Sequence, residues 1–176
     1  YADAREAYAQ ALVKEPDHAP SHYNLGVAFS QESAYEEAAA SMEQAIEIDP
    51  DYVLAYISAG EIYCQKLGRC GDAATLLTRA VERQPAEIGL RVGLGQAQLR
   101  LGRHEEAVLT FQDAISADST VAKAYNGLGV AHTRLGQYEQ AVEALRRAIH
   151  LDLLYPEVHY NLAQAYQKQG KDRESE

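Results

Sequence analysis

Residues 23–29 read Tyr23-Asn24-Leu25-Gly26-Val27-Ala28-Phe29. The four-residue step from Leu25 to Phe29 is one turn of a helix. A glycine inside that turn costs about 1 kcal/mol relative to alanine. It needs a packing reason, most simply a partner helix that touches its Cα. The pattern recurs. Gly60, Gly95, Gly129 and then Ala163 follow Gly26 at steps of 34, 35, 34 and 34 residues. Ala11, Ala45, Ala80, Ala114 and Ala148 keep the same steps. A fixed period in this range means stacked supersecondary units rather than one globular core. Each unit buries its apolar face on its neighbours.

A second helix follows each glycine-bearing one. Ala4, Ala38, Ala73, Ala107 and Ala141 lie seven residues before the other alanine column, which is two helical turns on one face. Small residues there let helix axes approach closely. Between them stand Tyr8, Met42, Leu77, Phe111 and Leu145, the bulky stripe of an amphipathic helix. Gly68, Gly102, Gly136 and Gly170 fall where first helices should end, as left-handed caps. Pro16, Pro50 and Pro85 fall after second helices. Glu36, Glu37, Glu105, Glu106 and Glu139 sit in first turns, where carboxylates complement the helix dipole.

At these residues the chain resembles the tetratricopeptide repeat (TPR) family. Tyr125, Leu128, Gly129, Tyr138, Ala141, Leu145 and Ala148 follow that family's pattern, as do Leu25, Gly26, Phe29, Tyr35, Ala38, Met42, Ala45 and Pro50. Some positions depart from it. Gln98 stands where an aromatic is usual, and Ser119 and Leu153 replace the closing proline, which suggests altered turns. The second unit carries one extra residue between Tyr63 and Ala73, expected in the loop around Gly68 and Gly71. The phasing gives a single array: a half unit at 1–18, full units at 19–52, 53–87, 88–121 and 122–155, and a half unit at 156–176. Residues 171–176 read as the start of a missing partner helix, and the chain reads as a fragment of a longer array. The fold implied is all-α, a right-handed α-solenoid of about ten helices in antiparallel pairs. Leu162 and Tyr166 would lack a covering helix, so end-to-end or swapped contacts between copies are expected.

The apolar fraction of 47% argues against disorder. A net charge of −10 disfavours non-specific nucleic-acid binding. No apolar run approaches the ~20 residues of a membrane span. Cys64 is expected in a helix and Cys70 in the following loop, both as thiols, which favours a reducing, cytoplasmic compartment. Gly93-Leu94-Gly95 and Gly127-Leu128-Gly129 lack the third glycine of a phosphate loop and lie within helices. Pro20 between His18 and His22 argues against a shared metal-binding face, and His104, His132, His150 and His159 have no partners at ligand spacing. No metal, cofactor or catalytic constellation is expected, so the chain does not read as an enzyme.

The resemblance implies a protein-interaction scaffold whose first helices line a concave groove. The groove candidates are Tyr23, Asn24, Val27, Ser58, Glu61, Gln96, Asn126, Val130, Tyr160, Asn161 and Gln164. Their amides can pair with a ligand's backbone. Gly93 and Gly127 would leave room for a ligand to approach. Asn24 and Asn161 share one phase, with Asn126 offset by a residue. Arg100, Arg134 and Lys168, one period apart, form with Lys123 a basic stripe that suits an acidic peptide. The competing reading is that cations at helix ends complement the dipole. Two other functions fit the same residues: a substrate-recruiting arm of a larger enzyme such as a glycosyltransferase, and a self-assembling structural array.

Overall fold

The computed structural model describes residues 2–152 and 156–175, with side chains at 3–152 and 156–170. Among the described residues there are ten α-helices and no strand. They are α1 Ala2–Lys14, α2 Ala19–Gln31, α3 Tyr35–Ile48, α4 Val53–Glu61, α5 Cys70–Arg83, α6 Ile88–Arg100, α7 His104–Ala117, α8 Ala122–Arg134, α9 Tyr138–Leu151 and α10 Pro156–Ser175. Helix α4 runs on through a π-helical turn, Ile62–Lys66. The chain divides into two compact units, Tyr1–Gly93 and Leu94–Glu176.

In the first unit the repeated glycines do what their spacing demands. A Cβ on Gly26 would fall 2.9 Å from the Ala38 carbonyl oxygen and 3.0 Å from Met42 Cγ. One on Gly60 would fall 2.7 Å from Leu77 Cδ1. A side chain on Gly26 would press on the backbone of Ala38, and one on Gly60 would force Leu77 to give way, so glycine lets α2 lie close on α3 and α4 close on α5. The alanines opposite, Ala38, Ala45, Ala73 and Ala80, are fully buried. Ala4 and Ala11 occupy the same phase on α1 but are exposed, and Val13 beside them is 85% exposed.

The second unit repeats the device. Phe111 on α7 is fully buried, and its ring would meet a Cβ on Gly95 at 2.7 Å and one on Gly127 at 2.3 Å. Leu145 closes on Gly129 at 2.5 Å. Ala141, Leu145, Ala148, Val158 and Ala165 form one core cluster. Leu162 packs against this cluster rather than standing uncovered, whereas Tyr166 is 41% exposed.

The structure corrects several expectations. Gly127 leaves no room for a ligand because Phe111 fills the space, and Leu77 stands 3.4 Å from the Cβ position of Gly93. The extra residue of the second unit is not in the loop. The turns after α2, after the π-helical turn Ile62–Lys66, after α6 and after α8 each hold three residues, counted from helix end to helix start. Each is closed by a backbone bond: Ala34 N–H to Phe29 O, Arg69 to Tyr63, Arg103 to Gln98 and Gln137 to His132. Only the Arg69 bond spans six residues rather than five. The additional residue is taken up in the π-helical turn, where Leu67 N–H donates to Ile62 O. The residue before each closing donor is left-handed: Ser33 (φ 62°), Gly68 (70°), Gly102 (76°) and Gly136 (75°).

Gly170 is not such a cap; α10 continues through it to Ser175, so the tail does not start a separate helix. A glycine costs a helix only about 1 kcal/mol and ends it only where the following chain gains by turning. Ser119 does not alter its turn either. Asp118 Oδ1 accepts from Thr120 N–H at 2.8 Å, as Asp49 Oδ1 accepts from Asp51 N–H at 3.0 Å beside Pro50. The aspartate makes the turn whichever residue follows it. Leu153 lies outside the described residues.

The cysteines are not thiols. Cys64 and Cys70 are disulfide-bonded, with their Cα atoms 4.0 Å apart. The π-helical turn carries Cys64, and Cys70 opens α5, so the inserted residue brings the two ends of the turn together. The compartment reading that rested on free thiols loses its basis.

Candidate functional site

In the first unit the groove candidates lie on α2 and α4. Tyr23, Asn24, Val27 and Ser58 are half-buried, and Glu61 is exposed. Tyr23 is held edge-on against Tyr52 with ring centroids 5.3 Å apart. Its hydroxyl lies 3.5 Å from Ser58 Oγ on the next first helix. In the second unit Gln96 and Arg100 lie on α6, and Lys123, Asn126, Val130 and Arg134 on α8. Tyr160, Asn161, Gln164 and Lys168 lie on α10. Asn161 Nδ2 donates to Asn126 Oδ1 at 2.9 Å, and Gln164 Nε2 donates to the hydroxyl of Tyr160, which is 66% exposed.

Tyr23–Ser58 and Asn126–Asn161 are the same contact in two places, each between residues 35 apart. Within each unit these two neighbouring first helices, α2 with α4 and α8 with α10, are therefore in register with a one-residue offset. The displacement of Asn126 from the phase of Asn24 and Asn161 is what the pairing requires. A 35-residue step in the sequence is the signal of this pairing.

The cations divide. Arg100 and Arg134 are the last residues of α6 and α8, where they complement the helix dipole. Lys168 sits inside α10, which continues past it, so the dipole does not account for it. Arg100, Lys123, Arg134 and Lys168 are all exposed, and none is in an ion pair among the described residues.

Around the disulfide lies a polar network that the sequence reading missed. Tyr63 donates its hydroxyl to Glu43, while the Arg69 guanidinium lies 4.8 Å over the Tyr63 ring. Arg69 also pairs with Asp72 at 2.7 Å and reaches Glu36 at 3.5 Å. Burial, and then the bond to Glu43, push the Tyr63 phenol well above its usual value. His18 Nδ1 meets Ser21 Oγ at 2.7 Å, and His22 Nε2 meets the Pro16 carbonyl at 2.8 Å, so each ring serves its own turn. Among the described residues no three His, Cys, Asp or Glu side chains are grouped to hold a metal. No described helix is long and apolar enough to cross a membrane.

Comparison with known proteins agrees with this architecture. The tetratricopeptide repeat profile matches residues 1–53 and 65–122, and a TPR repeat profile matches 131–170. A curated relative, small glutamine-rich tetratricopeptide repeat-containing protein 2 of Mycosarcoma maydis, is 31% identical over 101 residues. That match covers 57% of this chain but only 28% of the relative's length. Among solved structures, YrrB, described as a TPR protein with an unusual peptide-binding site, superposes with a TM-score of 0.70 at 22% identity. It covers 95% of this chain and 86% of its own. A thermophilic TPR protein of Thermus thermophilus gives a TM-score of 0.75 at 16% identity over 93% of this chain and 89% of that one. The APC/C hetero-tetramer Cut9–Hcn1 gives 0.79 at 20% identity over 96% of this chain and 33% of the other. With the first profile spanning more than half of its residues, this chain belongs to the tetratricopeptide repeat family.

Proposed function

We propose that this chain is a protein-interaction scaffold. In the second unit its first helices present amide, hydroxyl and cationic side chains to an extended, acidic peptide. The observation that supports it is the pairing of Asn161 with Asn126, with Arg134 and Lys168 exposed further along the same two helices and engaged by no described carboxylate. Amides fixed in register can bond a ligand backbone, and unpaired cations select its charge. The repeat division into a half unit, four full units and a half unit belongs to the same reading.

The test is affinity capture from the source lysate, with the parent beside an Arg100→Glu, Arg134→Glu, Lys168→Glu variant. Proteins retained by the parent alone support the row. Identical captures assign those cations to the helix ends and remove them from recognition.

A second reading, self-association, is favoured by one specific contrast. Ala4 and Ala11 on α1 are exposed, while their equivalents in the later second helices are fully buried. A helix from another copy seated on Ala4 and Ala11 would bury that face as the later ones are buried. Light scattering that shows constant monomer mass up to high concentration would rule it out.

A further inference from the structure

The second unit contains a pocket of about 630 Å³ between α8 and α9 that is separate from the first-helix row. Its α8 wall is Tyr125, Leu128 and His132; the row on the same helix is Lys123, Asn126, Val130 and Arg134. At ~100° per residue these two sets point roughly 170° apart, on opposite sides of α8. The volume lies within the ~300–1,000 Å³ usual for ligand sites.

The lining has a definite chemistry. Tyr125 and Leu128, half-buried, and Ala144, buried, give an apolar floor. Arg146, Arg147, His132 and His150 stand around it with one carboxylate, Glu143. In a chain of net charge −10 this is a local reversal of sign. Arg146 is steadied at 6.0 Å over the Tyr166 ring. Arg147 is exposed and makes no ion pair among the described residues. His132 Nδ1 is bound to Gln137 Oε1 at 2.6 Å, which fixes the ring at the pocket edge.

The α9 side is elongated. Gln140 and His150, at its two ends, stand ten residues apart, roughly 15 Å along a helix. That is the length of about four or five residues of extended chain. We infer that this trough binds a short acidic peptide segment, with one apolar side chain on the Tyr125–Leu128–Ala144 floor and a carboxylate on Arg147. The site is independent of the first-helix row.

Fluorescence anisotropy tests this with a labelled Glu-Asp-Leu-Glu-Asp peptide as probe. The native chain should bind it. Arg147→Glu should weaken binding by about tenfold or more through charge reversal. Ala144→Leu should do the same by filling the floor, with its thermal melt showing that the fold is kept. Replacing the probe's leucine by serine should also weaken it, since the floor then gains nothing. The Arg100→Glu, Arg134→Glu, Lys168→Glu variant separates the two sites: probe binding that survives there belongs to the trough. The inference is overturned if the native chain does not bind the probe, or if Arg147→Glu binds it as tightly as the parent. It is equally overturned if the serine probe binds as well as the leucine one, or if only the triple variant loses affinity.

Discussion

The helix pairs α4–α5 and α8–α9 solve one problem differently. In both, a leucine of the second helix sits against a glycine of the first, Leu77 on Gly60 and Leu145 on Gly129. In both, a left-handed glycine turns the chain. The pair α8–α9 has no inserted residue and no bridge. The pair α4–α5 carries one more residue, takes it up in a π-helical turn, and ties Cys64 to Cys70 across it. It also gathers Glu43, Tyr63, Arg69, Asp72 and Glu36 into a polar network at the same end. The contrast teaches that packing against glycine defines the pair, and that the irregular pair adds local ties without changing that packing.

The largest effect should come from the shared element. Leu77→Ala and Leu145→Ala should each cost ~2–5 kcal/mol in denaturant unfolding, since both side chains are buried and leave a cavity. A much smaller loss at Leu77 would break the comparison, because the covalent bridge would then be holding α4 on α5. Next comes the bridge. A cross-link between residues six apart should contribute about 2 kcal/mol by restricting the unfolded chain. Reductant should lower the parent's thermal midpoint and leave a Cys64→Ala, Cys70→Ala variant unmoved. A parent insensitive to reductant would remove the bridge from the account.

The smallest effect is electrostatic and appears in alkali. Tyr63 keeps its proton in the native state above the ordinary phenol value of 10.0, held by burial and by Glu43. The unfolded chain releases that proton first, so the contribution is whole below about pH 10 and declines as pH rises beyond it. Denaturation midpoints at pH 9 and pH 11 should show this decline in the parent and less of it in Tyr63→Phe. An equal decline in both would place the alkaline sensitivity elsewhere.

The same contrast explains what the sequence revealed. The glycine and alanine columns were legible because close helix contact admits few other residues there, and Gly60 and Gly129 bear the same mark. The insertion could be counted but not placed. Whether a helix takes up a residue is decided by its backbone hydrogen-bond register, which the side-chain pattern around Tyr63 does not record. The disulfide was hidden for that reason: six residues spanning a helix end and a loop give no approach of Cα atoms until the π-helical turn is known. At the candidate row the residue types were readable, but the 35-residue pairing of Asn126 with Asn161 needed neighbouring helices side by side. The α8–α9 trough was least legible, because Tyr125, Leu128 and His132 occupy ordinary packing phases and nothing in their spacing shows that a pocket opens beside them.

The π-helical turn has a consequence for how such a chain changes over generations. A residue added inside a regular helix rotates every later side chain of that helix by about 100°. Here Ile62–Lys66 takes up the surplus within one turn, and the next first helix resumes with Gly95 still backed by a buried ring. Insertion is thereby confined to the unit where it arises, and each unit is free to gain a residue, and whatever chemistry comes with it, without the consent of the rest.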